Sequence, residues 1–355
     1  MQQSYRAVVT HRHFPTFTRN TMQIKFLVAA LAVSASFTAV AAEKAAAADT
    51  PIVIKFSHVV AMDTPKGQAA ERFKATVEKL TKGRVRIEVY PNSTLYKDKE
   101  ELDALQAGAV QMLAPSLAKF APLGVKEFEV FDVPYMFPNK QALYNVIEGP
   151  IGQSLLKKLE PQGVMGLAYW DNGFKIMSAN RPMHAPADFK GLKMRIQSST
   201  VLASQMRALG ATPVPMAFSE VYQAMKTGAV DGSENTPSNI YSQKVHEVQK
   251  HMTVTDHGYI GYAVIVNKKF WESIPPDLRA QIDIALKDAT MYEKAISQVD
   301  NDRSLDAIKK AGKTTIYTPT AAETAVLRKA MLPVQQEMEA RLGKEFMQSI
   351  AKVAK

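Results

Sequence analysis

Cysteine is absent from the 355-residue chain, and that absence removes disulfides, thiolate metal sites and a cysteine nucleophile together. It also removes the lipid-modified cysteine that anchors many exported binding proteins, so an exported form is expected to be free in a periplasm. Catalytic signatures are missing as well. No G-x-S-x-G turn offers a strained serine. Gly312-Lys313-Thr314 lacks the upstream glycine that a phosphate-cradling loop needs. His246 and His251 are five residues apart. On a helix that spacing turns the second ring about 140° from the first, whereas zinc ligands at i and i+4 share a face. Glu127 and Glu129 have no nearby base and read as a solvated face. The chain is therefore expected not to be an enzyme, and to need no cofactor or metal.

Long apolar runs are missing after residue 42. The one stretch of that kind, Phe26 to Ala42, follows Lys25 and ends on Ala39-Val40-Ala41, the small-x-small pattern of signal peptidase sites. Residues 1–42 are expected to be an N-terminal extension and secretory signal, with Met22 as an alternative start. A membrane anchor is the competing reading; Ser34, Ser36 and Thr38 dilute a span already short for a bilayer. Strong charge of one sign is missing too. The formal net charge is +10, but Arg6, Arg12, Arg19 and Lys25 fall in a leader without acidic residues, leaving 40 basic against 34 acidic, or +6. The basic residues are scattered among Asp and Glu, which favours an anionic small ligand over a nucleic-acid partner.

What is present is ordinary globular composition, 46% apolar and 22% charged, in a chain long enough for two domains. From Ile52 onward, short apolar strands alternate with amphipathic helices, the α/β signature. Strands are expected at Ile52–Ser57, Val85–Val89, Val110–Ala114, Gly163–Tyr169, Phe174–Ser178, Lys193–Ile196, Thr212–Pro215, Val230–Ser233 and Tyr262–Val266. Helices are expected at Lys66–Thr81, with Thr64 as N-cap and Pro65 in first position, and at Lys99–Gln106, Ser199–Leu209 and Ser219–Thr227. Two long helical patterns, Asp277–Ala311 and Ala321–Lys352, close the chain. Helices of that length suggest an element spanning two lobes. No polar linker separates the halves, so several chain crossings are expected, as in hinge-closing ligand clamps.

Holding a small anion away from water requires charge-assisted donors in apolar surroundings. Arg195 meets that need. Alternation in Leu192-Lys193-Met194-Arg195-Ile196 sets it on the face opposite Leu192, Met194 and Ile196, and its fork suits a planar carboxylate. A surface ion pair on an edge strand is the alternative. Lys175 lies just past Gly173, read as a break between two strands where a lobe crossing could sit; a solvent-facing lysine is the alternative. Lys66, with the free amides after Thr64-Pro65, could form an anion-binding helix start. His58 follows the first strand, at the carboxyl end where α/β proteins place ligands, although a structural histidine also fits there. Asn235 ends a strand with an amide that can donate and accept. Phe218 precedes a helix and could wall a cleft or sit in a core.

At these residues the chain resembles the periplasmic solute-binding proteins of TRAP transporters, in their C4-dicarboxylate (DctP) branch, over roughly Ile52 to Met347. The block Val221-Tyr222-Gln223-Ala224-Met225-Lys226-Thr227-Gly228-Ala229-Val230-Asp231-Gly232-Ser233-Glu234-Asn235 carries most of the likeness. Asp188-Phe189-Lys190-Gly191-Leu192-Lys193-Met194-Arg195 carries the next share. Phe56-Ser57-His58, Tyr90-Pro91-Asn92 and Asp132-Val133-Pro134-Tyr135-Met136-Phe137 add to it. The resemblance implies a two-lobed periplasmic binding protein of type II-like α/β fold, with hinge strands and a long interlobe helix. Lobe I is expected at 50–172 plus 261–300, and lobe II at 173–260 plus 301–350. The ligand it implies is a dicarboxylate such as succinate, fumarate or malate, delivered to TRAP transporter membrane subunits by a monomeric periplasmic protein. A monocarboxylate, such as a 2-oxo acid or sugar acid, is the alternative ligand. The resemblance further implies that Arg195 pairs with one ligand carboxylate, Asn235 supports it, Phe218 packs on the ligand and His58 faces it from the other lobe. Lys175 stands where many relatives carry arginine, keeping the charge without the bidentate grip. For the distal carboxylate Lys66 is the choice made from the residues themselves.

Overall fold

The computed structural model describes residues 50–355; the signal expected within residues 1–42 lies outside them. In chain order the elements are β1 (Ile52–Ser57), α1 (Pro65–Leu80), β2 (Val85–Tyr90), α2 (Glu101–Gln106), β3 (Met112–Leu113), α3 (Lys140–Ile147), α4 (Pro150–Lys157), β4 (Val164–Phe174), β5 (Ile176–Ala179) and β6 (Lys193–Ile196). There follow α5 (Thr200–Ala208), β7 (Thr212–Pro215), α6 (Val221–Lys226), β8 (Gly232–Asn235), α7 (Pro237–Ser242), β9 (His251–Thr253), β10 (Tyr259–Asn267), α8 (Lys268–Ser273), α9 (Pro276–Ala311), β11 (Thr315–Tyr317), α10 (Ala321–Leu342) and α11 (Lys344–Val353).

The strands form two mixed sheets. The first has the order β2-β1-β3-β10-β4 and the second β11-β9-β5-β8-β6-β7. Each is apolar on both faces. Along β10, Ala263 and Ile265 enter one cluster with Phe128, Phe131 and Leu143, while Tyr262, Val264 and Val266 enter another with Phe73, Trp170 and Ile282. The second sheet is covered in the same way by clusters around Met194 and Leu202 on one face and Ile176, Val221 and Met252 on the other. A strand buried on both sides reads as a continuous apolar run, which is how Tyr262–Val266 stands in the sequence. Among the described residues no helix is long and apolar enough to cross a membrane.

The chain passes between the sheets from β4 into β5 and from β9 into β10, and the two crossings meet where the Lys175 amide donates to Gly258 O at 2.9 Å. The 36-residue α9 spans about 54 Å at 1.5 Å per residue. Its first half buries Leu278, Ile282, Ala285 and Ala289 against the first sheet, and Ile308 near its end joins a cluster of the second. Between them the buried face turns polar. Glu293 accepts from the Asp171 amide at 2.8 Å, Ser297 donates to Asp171 at 2.6 Å, and Asn301 bonds the backbone of Asn172. This stretch of helix satisfies the backbone and carboxylate of the crossing strand, as burial requires. α10 also serves both sheets, with Leu327 and Met331 in a second-sheet cluster and Val334, Met338 and Leu342 in a first-sheet one, where Ile350 of α11 joins them.

Three local readings differ from the sequence pattern. Gly173 does not break the strand: β4 continues to Phe174, and a register shift opposite Ile260 and Gly261 leaves Asn172 as the extra residue. Gly173 takes φ +119 there, and a Cβ would stand 2.9 Å from the Asn301 amide, so glycine lets the strand bulge without ending it. The expected Ala321–Lys352 helix is two helices, turned at Gly343 with φ 97. Glu129 is buried and paired with Arg341 at 2.6 Å, a partner about two hundred residues away that local sequence could not reveal.

Gly67, in the first turn of α1, lets the 58–64 loop press on the helix; a Cβ there would meet Ala61 O at 2.4 Å and Met62 Cα at 2.6 Å, both backbone atoms. Gly67→Ala is expected to lower unfolding stability by about 1–3 kcal/mol, measured by urea denaturation.

Candidate functional site

Two adjoining cavities lie between the sheets. One of about 220 Å³ is lined by Asp98, Leu102, Lys119 and Leu123 from the first-sheet side and by Arg195, Gln197 and Met216 from the second. The smaller, about 30 Å³, adds Val59, Val60, Ser116 and Tyr262 across from Phe218, Asn235 and Asn239. The larger is below the roughly 300–1,000 Å³ typical of drug-sized sites, so it suits a small guest. Asp98, Lys119, Arg195 and Gln197 line both.

Arg195 comes from β6, whose parallel neighbours β7 and β8 hold its backbone in place. The residue is 2% exposed. Its Nε and one Nη2 proton donate to Met216 O at 3.0 and 2.8 Å, and its guanidinium stands 5.9 Å from the centre of the Phe218 ring. Nη1 makes no hydrogen bond among the described residues. Burial pulls the guanidinium below its ordinary value against the pull of Asp98, Glu234 and Glu220, yet an arginine stays charged. The fork is thus locked by a carbonyl, with an edge left for an anion.

Asn235, at the end of β8, accepts at Oδ1 from the Thr236 amide and from Asn239 Nδ2, both at 2.9 Å. These bonds fix which end of the amide is oxygen and leave Nδ2 as a donor. Asn239 also reaches the Tyr262 hydroxyl at 3.4 Å, tying the second-sheet wall to the first.

The other sequence candidates do not line either cavity. Lys175 is fully buried, its ammonium 2.8 Å from Glu234, which also meets His257 Nε2 at 2.8 Å. The far ring nitrogen of His257 lies 2.7 Å from Thr255 Oγ1. This network sits at the crossing of the two sheets, so the lysine charge is spent on a carboxylate of its own chain. Lys66 donates to Ala114 O at 2.9 Å and lies 3.6 Å from the Tyr262 ring centre. Burial above all, partly offset by Glu101, brings its ammonium down to about 7. His58 is fully buried, with neither ring nitrogen hydrogen-bonded among the described residues; burial first and then the Lys66 charge bring it down to about 3 and hold it neutral. Arg195, Asn235 and Phe218 are therefore brought together at the cavity, while Lys175, Lys66 and His58 lie outside its lining. Sequence reading missed Asp98, Lys119, Gln197 and Asn239; Asn239 had a signal, four residues past Asn235 at the start of a helix. His246 falls in a single 3₁₀ turn and His251 on β9, so they share no helix face. Among the described residues no group of three metal-ligating side chains is assembled.

Burial pushes the Glu234 carboxyl up, but Lys175 and His257 outweigh it and hold it at about 2. Because that is below the unfolded value, its contribution to stability is complete above the ordinary carboxylate range and is lost as pH falls from about 4 toward 2. Glu234→Gln is expected to cost about 3–5 kcal/mol at pH 7 by stranding the Lys175 charge. Urea unfolding at pH 7 and pH 2 should show the gap to wild type shrinking in acid.

The chain matches the family described as bacterial extracellular solute-binding protein, family 7 (DctP), over residues 56–342. It is 59% identical over 300 residues to the C4-dicarboxylate-binding periplasmic protein DctP of Rhodobacter capsulatus, covering 84% of this chain and 90% of that protein. The fold superposes with a TM-score of 0.84 on a TRAP periplasmic solute binding protein from Shewanella oneidensis with bound succinate, at 40% identity over 86% of this chain and 100% of that one. A similar protein from Pseudomonas aeruginosa with bound L-malate gives a TM-score of 0.79 at 41% identity, covering 81% and 100%. With two mixed α/β sheets flanking a small cavity, and with these relatives, the chain belongs to the DctP family of bacterial extracellular solute-binding proteins, and it is a transport protein, not an enzyme.

Proposed function

We propose that this protein captures a C4-dicarboxylate, such as succinate, fumarate or malate, in the periplasm and hands it to the membrane subunits of a TRAP transporter. The observation that carries the ligand class is Arg195: a buried guanidinium, fixed by Met216 O, with a free edge in a small cavity and no carboxylate of the chain within ion-pair distance among the described residues. The relatives' ligands, succinate and L-malate, agree with it. Periplasmic location rests on the signal pattern at Phe26–Ala42 and on the periplasmic relatives.

The capture step is closure of two lobes about the crossings at Lys175 and Gly258, with α9 as a strut. The first lobe comprises the first sheet, about 50–172 and 261–300; the second comprises the other sheet, about 173–260 and 301–333. Packing of Val334, Met338 and Ile350 into a first-sheet cluster argues for returning the tail to the first lobe. Closure trades water for fixed donors, each charge-assisted bond contributing about 1.5–3 kcal/mol. Docking on membrane subunits follows from the family role.

Arg195→Ala is expected to weaken succinate binding by about 3–5 kcal/mol, more than a hundredfold in Kd. Isothermal titration calorimetry is the test, and wild-type affinity in the variant would remove Arg195 from the site. Native mass spectrometry of protein purified from periplasm should show a co-purified diacid; a monocarboxylate there would replace the dicarboxylate assignment.

A further inference from the structure

The cavity holds a second buried cation that sequence reading passed over. Lys119 ends a 3₁₀ turn, Leu117–Lys119, that follows β3, and its side chain is 7% exposed. It lines both cavities from the first-sheet side, across from Arg195. Its ammonium donates to Asp98 and Glu101. An ammonium has three protons to give, so these bonds aim it without exhausting it. Asp98 in turn accepts the Phe218 amide with its other oxygen, a bond that joins the first-sheet side to the second at the cavity wall. Lys97 and Glu220 repeat that joining at 3.2 Å nearby.

The charges lining the cavity leave a place for an added anion. The charged side chains that line the two cavities are Lys99, Lys119 and Arg195 against Asp98 and Asp103, an excess of one positive charge. Among the described residues Arg195 has no carboxylate partner within ion-pair distance. Of the two lysines on the wall opposite Arg195, Lys119 is buried and lines both cavities, whereas Lys99 is exposed and lines only the larger one. Lys66, spent on Ala114 O and the Tyr262 ring, does not reach the lining.

We propose that Lys119 is the second cationic contact of the cleft, taking the ligand carboxylate distal to Arg195, and that Asp98 is the positioning residue that aims it when the walls meet. The inference rests on the dicarboxylate reading above. It makes Lys119 the residue that tells a diacid from a monoacid of equal length.

The test is calorimetric titration of the full mature protein with succinate and with butyrate, which has the same four carbons and one carboxylate. Wild type should prefer succinate by on the order of a hundredfold or more, since the second carboxylate gains a buried charge-assisted contact. Lys119→Met should collapse that ratio to within about tenfold by losing succinate affinity while butyrate binding changes little. Lys66→Met should keep the ratio. Asp98→Ala should lower the ratio part of the way, a readout that a merely structural role would leave unchanged, and Lys119→Arg should restore most of it. Thermal unfolding of each variant shows that it is folded. A wild-type ratio in Lys119→Met overturns the inference alone. Wild-type protein that binds butyrate as tightly as succinate overturns the dicarboxylate reading and the inference with it.

Discussion

An arginine buried between two sheets, with no ion-paired carboxylate among the described residues, is the constraint around which the site is arranged. Burying a guanidinium costs several kcal/mol unless its donors are met, and Arg195 meets part of that need with Met216 O alone. In the proposed function the ligand meets the rest. Phe218, with its ring centre 5.9 Å from the guanidinium, and Asn235 line the same small cavity as that fixed charge. A rigid cationic fork in a small cavity favours an anion that brings its own charge, and the favourable term is realised only when water leaves.

In the proposed capture step closure is the functional event, and the crossings are where it would turn. β4 and β5 are nearly continuous, and β9 leads back into β10 beside them. At that junction the chain buries Lys175, Glu234 and His257 together. A paired charge set in a low-dielectric pivot resists local opening, because separating its members would strand an ion. Glu234 is adjacent in sequence to Asn235, so the pivot and the cavity wall share one strand. α9 gives the same junction a second support through Glu293, Ser297 and Asn301.

Much of the scaffold was readable from the chain. β1, β6 and β7 fall at the residues expected for them, and α1 begins at the Thr64 cap with Pro65 in first position. Those features rest on periodicity and capping, which are local. The region from 115 to 162 was less legible. α3 and α4 are only eight residues each and the turns before them are 3₁₀, too short for a clear helical period. Of the expected contacts, Arg195, Asn235 and Phe218 line the cavities; the family resemblance singled them out, whereas local pattern left each with a structural alternative. Lys119 was missed because a lysine in a short turn looks solvated until Asp98 and Glu101 fold over it, and Lys175 could not be told from a cleft residue until Glu234 was seen to claim its charge.

The sequence by itself determined an α/β chain free of cysteine chemistry, with a leader-like apolar segment, alternating strands and helices, and an arginine set against apolar neighbours. These follow from composition and from side-chain periods of 2 and 3.6, which need no knowledge of distant residues. Only the tertiary structure decided which cations face the cavity and which are neutralised within the wall. That choice depends on partners such as Lys175 with Glu234 and Lys119 with Asp98, brought together across the chain by burial, where Coulomb attraction is strong and an unpaired charge is costly.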